Sequence, residues 1–166
     1  MPDSKPVALV TGAGRGIGRA VAGRLSREGH RVVLTARSRD QLEETAAACV
    51  GETLVLPTDL TSADAIEDLF AQVEATWAAP AVLVANAGAG TAAPLHETTD
   101  EQWAAMLDLN LTAPFRCIRR AVPAMVDARI WPNEFVTFSG PPMSIASTPP
   151  LALMIVYGWL RRPISV

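Results

Sequence analysis

The stretch Val7-Ala8-Leu9-Val10-Thr11-Gly12-Ala13-Gly14-Arg15-Gly16-Ile17-Gly18 decides how the rest of the chain is read. A short apolar, β-branched run enters a glycine cluster, and an apolar segment carrying Arg19 leaves it over residues 19–25. The order this implies is strand, tight turn, helix. Such a turn lets the backbone approach a phosphate and aims the free N–H groups of the helix start at it. Glycine suits the turn because a Cβ would block positive φ angles and close approach. The spacing is not G-x-G-x-x-G: Gly12 and Gly14 supply its first half, but position 17 is isoleucine. A glycine turn can also serve packing alone, so its meaning depends on the residues downstream.

The chain of 166 residues is long enough for one domain with a sizeable core. Its 49% hydrophobic and 19% charged content is that of a globular protein and not of a disordered one. A net charge of −3 argues against nucleic acid as a partner, because no basic excess exists to hold a phosphate backbone. Cys49 and Cys117 form no C-x-x-C pair and read as buried thiols of a reducing compartment. The polar residues 1–6 do not resemble a signal peptide, and the apolar run 151–160 is half a membrane span. The expectation is therefore a cytoplasmic protein with no membrane partner.

Beyond the turn, a helix is expected over residues 16–27, burying Ile17, Ala20, Val21 and Leu25 and closed by Gly29. Residues 31–35 read as a second buried strand, and residues 40–50 as a helix with Leu42, Thr45, Ala46 and Cys49 inward. Residues 53–56 make a third strand, followed by Asp59-Leu60. Ser62 reads as the N-cap of a helix whose buried stripe is Ile66, Leu69, Phe70, Val73 and Trp77. Residues 81–85 form a fourth strand, leading into Asn86-Ala87-Gly88-Ala89-Gly90, where small residues imply that something approaches the backbone. The cap-like Thr98-Thr99-Asp100-Glu101 opens a helix carrying Trp103, Met106 and Leu107. An amphipathic helix then runs to about residue 127 with Ile118, Ala121, Val122, Met125 and Val126. Glu134-Phe-Val-Thr-Phe-Ser139 reads as a fifth strand.

Strands alternating with helices imply an α/β fold, a Rossmann-like doubly wound parallel sheet with helices on both faces and strand order 3-2-1-4-5. It ends after about the fifth strand. A ligand would then lie at the carboxyl edge, between strands one and four. In dinucleotide folds an acid at the end of the second strand takes the ribose hydroxyls of NAD. Here the residues are Ala36-Arg37-Ser38-Arg39, with no carboxylate until Asp40. Arg37 and Arg15 together suit the 2′-phosphate of NADP, so NADP (NADPH) is expected and NAD disfavoured. Two solvated arginines near a helix start are the plainer alternative.

With T-G-x-x-x-G-I-G over Thr11–Gly18, Asn86-Ala87-Gly88 and Asn110 in an N-x-x-x-x-F stretch, the chain resembles the short-chain dehydrogenase/reductase family. It is nearest in look to the 3-oxoacyl-carrier-protein reductase-like members, and the likeness covers about residues 7–127. The resemblance implies cofactor contacts at Gly12, Arg15, Gly16, Ile17, Gly18, Arg37, Asp59, Leu60, Asn86, Ala87 and Gly88. It places Asp59 on the adenine and Asn86-Ala87-Gly88 beside the nicotinamide ribose, with Ala85 departing from the family's N-N-A-G. It gives Asn110 a catalytic role, its side chain holding a helix kink and a relay water. Asp59 also fits an ordinary turn aspartate, and Asn110 a kink or cap residue only.

The resemblance further implies a catalytic Ser139, hydrogen-bonded to the substrate carbonyl and polarising it for hydride attack; Ser139 equally fits a strand end before Gly140-Pro141-Pro142. The family's proton donor sits in Y-x-x-x-K. This chain has one tyrosine, Tyr157, followed four residues later by Arg161, and its one lysine is Lys5. Prolines 132, 141, 142, 149, 150 and 163 crowd the end of the sequence. Residues 1–139 are therefore read as an NADP-binding domain and residues 140–166 as a divergent proline-rich, apolar tail. From Arg129 onward the sequence reads as a shifted frame or truncated gene product, with a natural short variant as the alternative. The function implied is hydride transfer between NADPH and a small carbonyl or alcohol substrate. The alternatives are a non-catalytic NADP-binding fragment, or a half-domain whose apolar run 151–160 covers a sheet edge or another subunit. A homo-oligomer is compatible with each, and no metal is expected.

Overall fold

The structure is a computed structural model and describes residues 5–90 and 93–128. Within them lie β1 (Val7–Thr11), α1 (Gly16–Arg27), β2 (Arg31–Thr35), α2 (Arg39–Ala47), β3 (Thr53–Val55), α3 (Ala63–Thr76), β4 (Val82–Val84), α4 (Asp100–Leu107) and α5 (Ala113–Asp127). A short 3₁₀ turn, Leu95–Glu97, precedes α4, and a π turn, Asp108–Thr112, joins α4 to α5.

The strands are apolar on both faces, as a strand covered by helices on each side must be. All pairings are parallel and the order is β3-β2-β1-β4. Because side chains alternate along a strand, Val7, Leu9, Val33 and Leu83 point one way and Val10, Val32, Leu34 and Val84 the other. The first set packs against α3 and α5 through Ile66, Leu69, Phe70, Val73, Cys117, Ala121 and Met125. The second meets α1 and α2 through Ala22 and Leu42. Each large side chain taken from water in this way contributes about 1.5–3 kcal/mol. The fold is thus the expected Rossmann-like α/β arrangement, with helices on both faces. The expected fifth strand and the boundary at residue 139 lie outside the described residues.

Two helix faces differ from their expected composition. In α1 the buried residues are Gly18, Ala22 and Ser26, while Ile17 is 46% exposed and Ala20 is exposed as well. Small side chains lie where the helix comes nearest the sheet, the expected Val21 and Leu25 pack half-buried at the flank of the same core, and Ile17 turns outward. In α5 the inward file is Ala113, Cys117, Ala121 and Met125, spaced four apart, and Val126 is exposed. Helix α2 begins at Arg39 and ends at Ala47, three residues short of the expected end at residue 50.

Helix α5 is clamped to α3 by Arg120, whose guanidinium donates to both carboxylate oxygens of Glu74 (2.9 and 2.8 Å) and to Glu67 (3.0 Å). The same group stacks over the Phe70 ring, 5.3 Å from its centre. A bidentate pair of this kind is geometrically specific. Its bonds to Glu74 raise the Arg120 pKa further above its ordinary value.

Candidate functional site

The carboxyl ends of β1 and β4 are neighbours in the sheet, so the loops that leave them meet although some 70 residues separate them. Thr11, the last residue of β1, is buried, and its hydroxyl ties the loops together. It donates to the Val84 carbonyl (3.2 Å) and accepts from the backbone N–H groups of Asn86 and Ala87 (2.9 Å each). Asn86 answers from the other side, its Nδ2 donating to the carbonyls of Thr11 (3.0 Å) and Gly12 (3.3 Å). The glycine turn and the Asn86-Ala87-Gly88 loop are therefore one rigid unit.

Glycine is required where these parts touch. Gly12 has φ +64°, and a Cβ there would lie 2.9 Å from both the Ala87 Cα and the Asn86 amide nitrogen. A Cβ on Gly18 would overlap the Gly12 carbonyl oxygen and approach Asn86 Nδ2 to 2.6 Å. Side chains at 12 or 18 would push α1 and the β4 loop apart.

The N-terminus of α1 opens outward from this unit. Its cap residue, Arg15, has an extended backbone and offers no side-chain acceptor, and the first turn carries no acid. Gly16, at φ +56°, faces open space. The unpaired N–H groups and the positive end of the helix dipole form a ready anion site. Arg15 follows β1 and Arg37 follows the adjacent β2, so both stand at the same sheet edge. Neither makes an ion pair or side-chain hydrogen bond among the described residues. These features fit a dinucleotide: glycines that admit close approach, an uncapped helix start for its phosphates, and two guanidinium groups without an ion pair or side-chain hydrogen bond among the described residues.

Asn110 sits in the π turn and carries three bonds. Its Nδ2 donates to the carbonyls of Ala89 (2.7 Å) and Met106 (2.8 Å), and its Oδ1 accepts from the Ala89 N–H (3.2 Å). The side chain thus replaces backbone pairing lost at the helix irregularity. It also crowds Gly88, where a Cβ would lie 2.7 Å from Asn110 Oδ1.

Comparison with known proteins agrees with this geometry. The profile of the short chain dehydrogenase family matches residues 6–131, most of the chain. The chain belongs to the short-chain dehydrogenase family. It is 36% identical over 129 residues to dehydrogenase/reductase SDR family member 11 of Gallus gallus, covering 75% of this chain and 51% of that protein. An uncharacterized oxidoreductase of Staphylococcus aureus (strain MRSA252) is 30% identical over 122 residues, covering 73% and 53%. Among solved structures, a metagenomic short-chain oxidoreductase in complex with NADP is similar, with TM-score 0.69, 43% identity and coverage of 75% and 58%. An alcohol dehydrogenase from the archaeon Thermococcus sibiricus complexed with 5-hydroxy-NADP gives TM-score 0.70 and 32% identity, covering 74% and 54%. The chain spans about half the length of the curated relatives it matches.

In this short-chain dehydrogenase chain, Gly12, Arg15, Gly16, Ile17, Gly18, Arg37, Asn86, Ala87 and Gly88 gather at one edge of the sheet, with Asn110 tied to that edge through Ala89. Asp59 spends its carboxylate on the turn before α3, accepting from the Thr61 N–H (3.1 Å) and hydroxyl (2.8 Å). Those bonds, the backbone one first, and then the nearby Arg37 charge hold the Asp59 pKa below its ordinary value. Leu60 points into the core, so a ligand would meet its backbone. Ser139, Tyr157 and Arg161 lie outside the described residues. Lys5 pairs with Glu52 (3.8 Å) just before β1, at the amino end of the sheet. Sequence reasoning missed Thr11 as the tie between the loops. The signal available was a hydroxyl at the last position of an otherwise apolar strand.

Proposed function

We propose that this chain binds NADP(H) at the α1 N-terminus and forms the coenzyme-binding part of an oxidoreductase acting on a small carbonyl or alcohol. The observation that carries this reading is the uncapped, acid-free start of α1 beside two guanidinium groups that make no ion pair or side-chain hydrogen bond among the described residues. In support, the first carboxylate after β2 is Asp40, inside α2, so no acid precedes that helix to favour the free ribose hydroxyls of NAD. The NADP bound by the metagenomic relative and the 5-hydroxy-NADP bound by the archaeal one point the same way.

In this reading Arg15 and Arg37 grip the 2′-phosphate, and the N–H groups of Gly16, Ile17 and Gly18 receive the pyrophosphate. Asn86-Ala87-Gly88 offers a surface without bulky side chains to the nicotinamide ribose. Asn110 holds that loop through Ala89 and a relay water through the opened π turn. The coenzyme, when bound, would supply or accept hydride, and Ser139 is proposed to hydrogen-bond the substrate carbonyl. The reading includes a reducing, cytoplasmic setting, in keeping with the free thiols of Cys49 and Cys117, the latter pushed by burial up to about 12. No helix among the described residues is long and apolar enough to cross a membrane.

A second reading, coenzyme binding without turnover, is favoured by Tyr157 being followed by Arg161 instead of a lysine, with Lys5 tied to Glu52. Titration of protein fluorescence with NADPH, with NADH as control, tests both readings. The expected result is NADPH binding at least about tenfold tighter, as one or two charge-assisted contacts would give. The Arg37→Ala variant should lose that preference. Binding of neither coenzyme, or equal binding of both, overturns the proposal. Turnover of a generic ketone then separates enzyme from binding protein.

A further inference from the structure

Helix α2 is locked to the carbonyl side of the glycine turn. The Arg19 guanidinium, in the first turn of α1, donates from Nε and Nη2 to the Gly14 carbonyl (3.1 and 2.5 Å). It also donates from Nε to Thr45 Oγ1 (3.0 Å) and from Nη2 to Glu44 on α2 (2.9 Å). Thr45 is 1% exposed, and its hydroxyl donates to the Ala13 carbonyl (2.9 Å), with the Gln41 carbonyl (3.0 Å) as the other acceptor in reach. The Gln41 side chain fills the space beside Gly14, where a Cβ would lie 3.0 Å from Gln41 Cβ. Two successive turn carbonyls are therefore held toward α2 by groups that sequence patterning marks only as core or helix surface.

The carbonyl and N–H of a trans peptide point in opposite directions, and no peptide among the described residues is cis. Fixing the Ala13 and Gly14 carbonyls toward α2 turns the N–H groups of Gly14 and Arg15 away from it. It also sets the direction in which Arg15 leaves the turn. The same lock sets the place of Arg37, which directly precedes Ser38, the N-cap of α2. One arginine follows the turn that is held, and the other precedes the helix that holds it. The Glu44 arm is exposed and contributes little. The buried Thr45 hydroxyl is the part whose loss leaves polar groups unpaired.

We infer that Thr45 and Arg19 are positioning residues for coenzyme selection: their lock fixes the spacing of the Arg15 and Arg37 guanidinium groups, and with it the preference for a 2′-phosphate. The inference rests on the NADP reading above, and its test separates the two. The variants are Thr45→Val, which keeps the volume and removes the hydroxyl, Thr45→Ser, which restores it, and Arg19→Met. Amide NMR spectra of the unliganded chain and dissociation constants for NADPH and NADH are measured on each.

Thr45→Val and Arg19→Met should shift the Gly14 and Arg15 amide signals while the remote Gly29 amide stays in place. They should cut the NADPH-over-NADH ratio about tenfold, chiefly through NADPH. Thr45→Ser should return both readouts to within about twofold of wild type. A merely structural role lowers the melting temperature but leaves the ratio alone, and that outcome overturns the inference. Unmoved Gly14 and Arg15 amides overturn it too. Wild-type protein that binds neither coenzyme overturns the NADP reading, and the amide spectra still decide whether the lock orients the turn.

Discussion

Helix α1 and helices α2, α3 and α4 begin in opposite ways. Ser38, Ser62 and Thr99 each place a side-chain oxygen on a backbone N–H of the helix they open, and Thr99 forms a full capping box with Gln102. Each of those helices also has an acid in its first turn: Asp40, Asp64, and Asp100 with Glu101. Helix α1 has Arg15 at its cap and no acid. An uncapped start costs about 1 kcal/mol. Helix α5 also lacks a side-chain cap and a first-turn acid, but it continues straight from the π turn, so α1 alone among these starts leaves a loop uncapped. The proposed coenzyme site uses that open start.

The comparison can be broken most severely at its base. Gly18→Ala puts a methyl against the Gly12 carbonyl and Asn86, and should destabilise the domain by about 3 kcal/mol with loss of coenzyme binding. Urea unfolding measures the first effect and fluorescence titration the second. Thr11→Val leaves the Asn86 and Ala87 N–H groups without their acceptor and should cost about 2 kcal/mol in the same unfolding assay. Thr11→Ser should recover most of that.

The sharpest contrast comes from exchanging the two kinds of helix start. Arg15→Asp gives α1 a cap and should raise stability by about 0.5–1 kcal/mol, while weakening NADPH by tenfold or more. Thr99→Ala should lower stability by about 1 kcal/mol and leave NADPH affinity within about twofold of wild type. Finding that Arg15→Asp binds NADPH normally would remove the meaning attached to the open start.

The smallest effect belongs to Asp59. Its pKa is lowered in the fold, so its stabilising contribution is present above the ordinary carboxylate value and is lost as pH falls through the folded value. Asp59→Asn should therefore narrow the difference in urea midpoint between neutral and acid pH by a slight margin, because the group is exposed. An unchanged difference would detach the carboxylate from the turn.

Most strand and helix positions were legible because β-branched runs and cap residues announce themselves locally: β1, α1 and β2 fall where the pattern puts them. The inward face of α1 was legible in part: Val21 and Leu25 pack on the core as the periodicity expects, but Ile17 and Ala20 do not, and close approach selects Gly18, Ala22 and Ser26 for full burial. At the site, the glycine turn and the Asn86 loop were legible as separate small-residue segments, and the parallel topology predicts that they meet. The bonds that fix them, from Thr11, Arg19 and Thr45, were not, because each joins residues distant in the chain and leaves no periodic trace. Ser139 lies beyond the described residues.

The π turn at Asp108–Thr112 behaves like a one-residue insertion in an otherwise continuous rod. Removing a single amino acid from it would restore regular winding and rotate everything downstream by about 100°. The file Ala113, Cys117, Ala121 and Met125 would then swing off the core, or Asn110 would swing away from Ala89. Both engagements are held at once only by this offset, so the segment should tolerate exchanges of residue far better than changes of length.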